Sequence, residues 1–205
     1  MNSKLFANTT LTSSKFNFDF SVGEEDLLDG EHNKFEVKYK SGIQDVAGKI
    51  DFDYIPNPNH HIRFGLGNTY HTYNPGALVL KGDFDEEDSE FLDKQKKQYS
   101  NEYFAYVEDE LKLGKLKANI GLHASGFSIG DKNYSSLQPR LGLRYLLNNK
   151  WSLKVSYATM AQYINLLTNE SIGLPTDLWV PSTERIKPQT SWQAALGVAS
   201  NNLEK

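Results

Sequence analysis

The sequence predicts an all-β chain: an antiparallel up-and-down meander of about ten strands, forming part of a transmembrane β-barrel. Three observations carry this. Apolar and polar residues alternate with a period of two through most of the 205 residues. The connections alternate between tight turns and long loops. Aromatic residues are plentiful, with 11 Tyr, 11 Phe and 3 Trp, and these residues favour strands and build the interfacial girdles of membrane barrels.

Each element follows from the alternation. Phe16, Phe18, Phe20 and Val22 alternate with Asn17, Asp19 and Ser21. Phe35, Val37 and Tyr39 alternate with Glu36, Lys38 and Lys40, and Ile50, Phe52 and Tyr54 with Asp51 and Asp53. Ile62, Phe64, Leu66 and Tyr70 share a face opposite Arg63, Gly65, Gly67 and Thr69. Leu116, Ala118, Ile120 and Leu122 oppose Lys117, Asn119, Gly121 and His123. Leu137, Pro139, Leu141, Leu143, Tyr145 and Leu147 oppose Gln138, Arg140, Gly142 and Arg144. Trp151, Leu153, Val155 and Tyr157 oppose Ser152, Lys154 and Ser156, and Trp192, Leu196 and Val198 begin a last strand. Several of these runs approach the ~9–11 residues that cross a bilayer at a tilt.

Pro56-Asn57-Pro58-Asn59, Gly114-Lys115 and Asn148-Asn149-Lys150 are tight turns. Residues 74 to 98 and 161 to 190 are long connections, while the connection at 130 to 136 is brief. Short turns at one end and long loops at the other describe an outer-membrane barrel. A soluble lipocalin-like barrel that binds a ligand also alternates, with its apolar face inward, and is the competing reading.

Composition narrows the function classes. A net charge of −4 and 39% hydrophobic residues suit neither a disordered chain nor a basic nucleic-acid binder. With no Cys there is no thiol or disulfide chemistry. No apolar run reaches the roughly 18 residues of a spanning helix, which a barrel does not need. The N-terminus, Met1 to Ala7, has no secretory apolar region.

The stretch from Leu137 to Ser200 carries a family resemblance. Pro139-Arg140-Leu141, Lys154-Val155-Ser156-Tyr157, Gln162-Tyr163, Leu174-Pro175-Thr176-Asp177-Leu178-Trp179-Val180-Pro181 and Ile186-Lys187-Pro188-Gln189 follow one another in order. Upstream, Lys4-Leu5-Phe6-Ala7-Asn8, Tyr54-Ile55-Pro56-Asn57 and His61-Ile62-Arg63-Phe64-Gly65 match as well. The whole chain resembles the barrel of TonB-dependent receptors, particularly those of Bacteroidetes. The resemblance implies a receptor in the outer membrane of a Gram-negative bacterium, embedded in its lipid. Such a receptor imports a small nutrient with energy delivered by the TonB complex. It also implies a barrel of about 22 strands closed by a plug domain. Measured against that pattern, residues 1–205 are expected to be a barrel section without plug or signal peptide, inactive alone.

Candidate chemistry is sparse. The acidic run Asp83, Asp85, Glu86, Glu87, Asp88 and Glu90 puts Asp88 where a calcium loop wants Gly, and reads as a solvated loop. His32, His60, His61, His71 and His123 lack zinc spacing, so no metal or other cofactor is expected. No nucleophile elbow, phosphate loop or acid–base pair is present, so no enzymatic activity is expected. Arg140, Arg144, Lys154 and Lys117 are expected to face the lumen and the plug. The loop from 161 to 190 is the candidate ligand site. Gln162, Tyr163, Asp177, Trp179 and Arg185, with Asn165 beside them, could stack on and hydrogen-bond a ligand at the barrel mouth. Alternatively, Leu174-Pro175 and Val180-Pro181 only fold this loop back over the rim.

Overall fold

The computed structural model describes residues 4–28, 31–81, 96–169 and 176–200; side chains within 24–28, 31–38, 75–81, 168–169 and 176–177 are outside the description. Ten strands follow in order: β1 (Leu5–Leu28), β2 (Glu31–Asn57), β3 (His60–Lys81), β4 (Gln98–Leu113), β5 (Leu116–Ile129), β6 (Lys132–Leu146), β7 (Trp151–Gln162), β8 (Ile164–Asn169), β9 (Thr176–Pro181) and β10 (Gln189–Ser200). Eight of them form one antiparallel meander in the order β1-β2-β3-β4-β5-β6-β7-β10, and β8 and β9 form a separate pair. No helix interrupts the described residues. The acidic run from 83 to 90 lies outside them, as do Leu174 and Pro175.

The tight turns fall where the sequence puts them. Asn57 Oδ1 accepts the backbone N–H of Asn59 at 2.9 Å, closing the β2–β3 turn. Asn148 Oδ1 accepts the N–H groups of Lys150 and Trp151 at 2.8 and 2.9 Å between β6 and β7. Gly114 holds φ near +57° in the β4–β5 turn, a conformation that costs glycine nothing and any other residue something. Just after the first turn, His60 hydrogen-bonds Asp109 of β4 at 2.7 Å and His61 hydrogen-bonds Asp53 of β2 at 2.8 Å.

Register sorts every strand onto two faces. One set pairs Phe52 with Phe64, Ile50 with Leu66 and Val46 with Tyr70. It continues through Val107 opposite Leu122, Ile120 opposite Leu141, Leu143 opposite Val155 and Val155 opposite Leu196. These side chains are open to the surroundings: Leu11 is 82% exposed, Leu137 64% and Leu196 75%. The other face bears charge and amide. Its residues include Asp45, Asp51, Arg63, Glu102, His123, Gln138 and Arg140, and the β8–β9 hairpin rests on it against β2 and β3. A soluble ligand-enclosing barrel needs the opposite polarity. Apolar outside and polar inside is the arrangement of a barrel whose solvent is lipid.

Aromatic residues bracket the outward apolar band. Tyr54, Tyr145 and Trp151 stand at the short-turn end, and Tyr70, Tyr99, Tyr103 and Trp192 at the other. Tyr70 and Tyr99 stack with ring centroids 6.0 Å apart. Along β3 the band runs from Ile62 to Tyr70. At ~3.3 Å per residue and a tilt near ~40° it stands roughly 20 Å tall, close to the ~25 Å apolar band of outer-membrane barrels.

The strands continue beyond this band. β1 has 24 residues, β2 27 and β3 22, far more than a crossing requires. Past the band the apolar side turns inward. Phe16 lies opposite Ile43, Phe18 opposite Ser41 and Phe20 opposite Tyr39, all on the inner face. The alternation of Phe16, Phe18 and Phe20 is therefore genuine but points into the barrel. Beyond the lipid the outer face meets water and the inner face meets the hairpin. Of the Phe35–Lys40 alternation, only the side chains of Tyr39 and Lys40 are described.

Pro139 marks where the sheet divides. The β6–β7 ladder ends at Arg140 opposite Ala158, while β7 continues to Gln162 paired only with β10. Proline has no N–H to extend a ladder. Above this point β6 is joined to the segment after the hairpin instead. The Tyr134 hydroxyl donates to the carbonyl of Thr183 at 2.6 Å, and Lys132 pairs with Glu184 at 2.8 Å.

Close packing on the inner face depends on two glycines of β3, Gly65 and Gly67. A Cβ on Gly67 would lie 2.7 Å from the Phe104 ring. Gly67→Leu is expected to lower stability by about 1–3 kcal/mol. Gly142→Ala, whose new Cβ would meet nothing closer than 3.8 Å, is expected to be neutral. Urea unfolding midpoints in detergent compare the two.

Candidate functional site

The site is built where β7 leaves the sheet. Tyr163 turns inward and is 2% exposed. Its ring stacks on Phe127 with centroids 5.2 Å apart and planes 3° from parallel. Its hydroxyl hydrogen-bonds Ser125 Oγ at 2.8 Å, and Gln138 Nε2 donates to the same oxygen at 2.7 Å. Burial raises the pKa of the Tyr163 hydroxyl, which keeps it protonated. The backbone N–H of Ser182 donates to the Tyr163 carbonyl at 2.7 Å, closing the base of the hairpin. Ile164 pairs with Pro181, Leu166 with Trp179 and Thr168 with Asp177. The connection from 161 to 190 is thus partly regular: it contains a hairpin folded inward over the wall.

Trp179 sits edge-on to Phe16 at 6.4 Å, fastening the hairpin to β1. Its indole nitrogen is buried and has no hydrogen-bond partner among the described residues. Gln162 Nε2 donates to the Ile164 carbonyl at 2.7 Å and to Asn165 Oδ1 at 3.3 Å, shaping the exit from β7. Arg185 stands exposed in the bend after the hairpin. Asp177 belongs to β9, and its side chain lies outside the described residues. The five residues singled out in the sequence therefore share one substructure but divide in role. Tyr163 and Gln162 are committed to holding the hairpin, Trp179 is half-committed, and Arg185 is open.

Below the hairpin lies a cavity of about 700 Å³, lined by Glu102, His123, Gln138, Arg140, Gln162 and Tyr163 among others. His123 stacks on Phe104 at 5.4 Å, and its Nδ1 is buried without a hydrogen-bond partner among the described residues. Arg140 is exposed. His123 and Gln138 lie directly opposite each other on β5 and β6, and Arg140 follows on the same face. Alternation in the sequence already sets all three on the polar faces of their strands, with Arg140 named as facing the lumen, but it does not bring them side by side. Cross-strand register is the signal that collects them, and it needs the pairing to be known. Among the described residues no group of three or more His, Asp or Glu is placed to hold a metal ion. The wall can bind by stacking, hydrogen bonding and charge.

Tyr163→Ala is expected to free the hairpin, seen as faster proteolytic cleavage between residues 164 and 187. Tyr163→Phe, which keeps the stack and loses the hydroxyl bond, is expected to cost only about 1 kcal/mol and to leave the cleavage rate near that of the parent.

The family model of the TonB dependent receptor-like β-barrel matches residues 2–203. No curated protein sequence matches the chain. Similar solved structures include FpvA of P. aeruginosa in complex with a heterologous pyoverdine and iron, at 12% identity and a TM-score of 0.60, covering 97% of this chain and 28% of that one. FpvAI in complex with pyocin S2 is similar at 12% identity and a TM-score of 0.62, covering 98% and 29%. The siderophore receptor PirA of Acinetobacter baumannii is similar at 16% identity and a TM-score of 0.56, covering 94% and 33%. At these identities the likeness concerns the fold, and the chain spans about a third or less of each of these proteins. The inverted polarity, the sequential meander and a family match across nearly every residue agree: the chain belongs to the TonB-dependent-receptor-like β-barrel family.

Proposed function

We propose that this chain is a section of the wall of a TonB-dependent receptor in the outer membrane of a Gram-negative bacterium, which admits a small nutrient ligand. The outward apolar band between two aromatic girdles, backed by a polar inner wall, carries this reading. The meander ends in two edges, β1 and β10, without partners among the described strands. A bilayer does not tolerate unpaired strand edges, so the working barrel includes further strands, with a plug inside and the TonB complex as its energy source. The order of motifs from Pro139 to Pro188 supports a receptor of the Bacteroidetes type.

The similar receptors that bind pyoverdine and siderophores make an iron chelate the first ligand to try. In this reading Trp179 and Arg185, together with Asp177, meet the ligand at the mouth, and Gln162 and Tyr163 set their position. Arg185 is exposed and takes no part in the hairpin's hydrogen bonds. Arg185→Ala in the full receptor is expected to weaken ligand binding about three- to tenfold with expression unchanged, as titration with the chelate would show.

Location gives the more basic test. The receptor is expected in the outer-membrane fraction with heat-modifiable gel mobility; a soluble monomer would refute the reading. Leu141→Arg, on the outward face, is expected to cost about 2–4 kcal/mol in folding into lipid vesicles, whereas Arg140→Gln on the inner face is expected to cost little.

A further inference from the structure

β6 and β7 form a fork within the wall. Their ladder runs from Leu146 opposite Ser152 to Arg140 opposite Ala158, and stops. Above it, residues 132–139 of β6 pair only with β5, and residues 159–162 of β7 pair only with β10. Among the described residues, no backbone hydrogen bond crosses from that length of β6 to β7 or to residues 182–187. Side-chain contacts close the outer end of the fork, from Tyr134 to the Thr183 carbonyl and from Lys132 to Glu184. Thr159, the first β7 residue past the ladder, is directly opposite Trp192. The fork therefore opens at the height of the outer aromatic girdle.

A free strand edge at membrane depth is tolerated where it lines a water-filled cavity. The cavity of about 700 Å³ beneath the hairpin meets β6 at Gln138 and Arg140, and it touches both faces of the wall. Met160, Gln162 and Ser191 on its lining are in phase with the lumen-facing Arg140. Ala161 and Thr190, directly opposed on the same lining, are in phase with Tyr157 and Trp192, which face the lipid. An unbroken sheet keeps two such sets apart. Here the lumen and the girdle share one cavity.

Two polar groups at the fork lack partners among the described residues. The Thr159 hydroxyl is buried without a hydrogen bond. Arg140 is exposed and has no ion pair. Glu102, the acid on the cavity lining, lies 3.7 Å from His71 Nε2. What the fork lacks is an acceptor that carries negative charge.

We propose that the fork is a binding site for the phosphate-bearing headgroup of a membrane lipid at the long-loop end of the apolar band. Arg140 and the free N–H groups of β6 hold the phosphate, and the acyl chains stay outside against Leu137, Tyr157 and Trp192. The inference rests on the receptor reading above and adds to it a ligand that enters from the lipid side. A phosphate only accepts hydrogen bonds, and its bonds to charged donors are strong. An acyl chain alone would leave the β6 edge unsatisfied, and a headgroup without net charge would leave Arg140 unpaired. Basic pockets at membrane depth take anionic headgroups for the same reason.

The test uses the full-length receptor, purified from outer membranes, stripped of lipid and then supplied with phosphatidylglycerol or phosphatidylcholine. Native mass spectrometry counts the lipid retained. The parent is expected to keep one phosphatidylglycerol under conditions that remove phosphatidylcholine. Arg140→Gln is expected to lower that retention about fivefold, and Ala161→Trp, which fills the mouth of the fork, is expected to lower it likewise. If the tryptophan prevents assembly, Ala161→Leu is expected to give a smaller loss of the same sign. Arg144→Gln, an inward cation within the paired length of β6, is expected to change nothing. An assembled receptor whose retention ignores both Arg140 and Ala161 overturns the inference and leaves the receptor reading standing. So does inorganic phosphate that binds through Arg140 while lipid retention is untouched, which would make the fork a site for a free anion. Absence of the parent receptor from the outer membrane overturns both readings.

Discussion

A wall placed in lipid has no water to satisfy its backbone, so each strand must give its N–H and C=O groups to the next. Everything else in this structure accommodates that ladder. Side chains are left with two faces and a period of two, and the surroundings decide which face is apolar. Over the band from Ile62 to Tyr70 the outward positions are hydrophobic, and Arg63, Thr69 and His71 point inward. The structure buries few apolar side chains: Tyr73, Ala118, Phe127 and Tyr163 are the buried hydrophobic residues among those described. Its cohesion comes from the ladder and from polar pairs across the inner face.

Where the ladder fails, the functional features begin. At Pro139 the β6–β7 pairing stops, and the chain beyond Gln162 leaves the sheet to lie inside it. Tyr163 fixes this departure by combining a ring stack with a hydroxyl bond. The inward hairpin then covers the aromatic side of β1 through Trp179 and Phe16. The long strands β1 to β3 give it a surface to lie on, because their inner faces become apolar beyond the lipid band. The cavity beneath the hairpin follows from the same departure, with His123 and Arg140 on its wall.

Charge on the inner face is arranged by strand. Of the acids of β2 to β4, Asp45, Asp51, Asp53, Glu108 and Glu110 are held by His71, Lys49, His61 and Arg63 within hydrogen-bonding distance. The bases of β5 to β7 are left facing the lumen. Such a separation gives anything inside the barrel a preferred orientation, since each side of the wall rewards a different surface.

Much of this was legible in the sequence for a physical reason. Alternation is a local property, so Leu137 to Tyr145 and Trp151 to Tyr157 declared their two faces without reference to any other strand. Turn chemistry is equally local, and Asn57-Pro58-Asn59, Gly114 and Asn148-Asn149-Lys150 announced their hairpins. The loop from 161 to 190 was identified as the distinctive segment, with Tyr163 and Trp179 in it, but its internal hairpin and inward fold were not. They depend on Phe127, Ser125 and Phe16, which lie from tens to more than a hundred residues away in the chain. Alternation also leaves open which face looks outward. Phe16, Phe18 and Phe20 alternate as cleanly as Ile50, Phe52 and Tyr54, yet the two sets face opposite ways. The sequence by itself determined most of the strands, the tight turns and the family, though not the runs that form β4, β8 and β9. Only the tertiary structure decided direction, register and therefore which charges stand side by side, because these are relations between strands that no single strand contains.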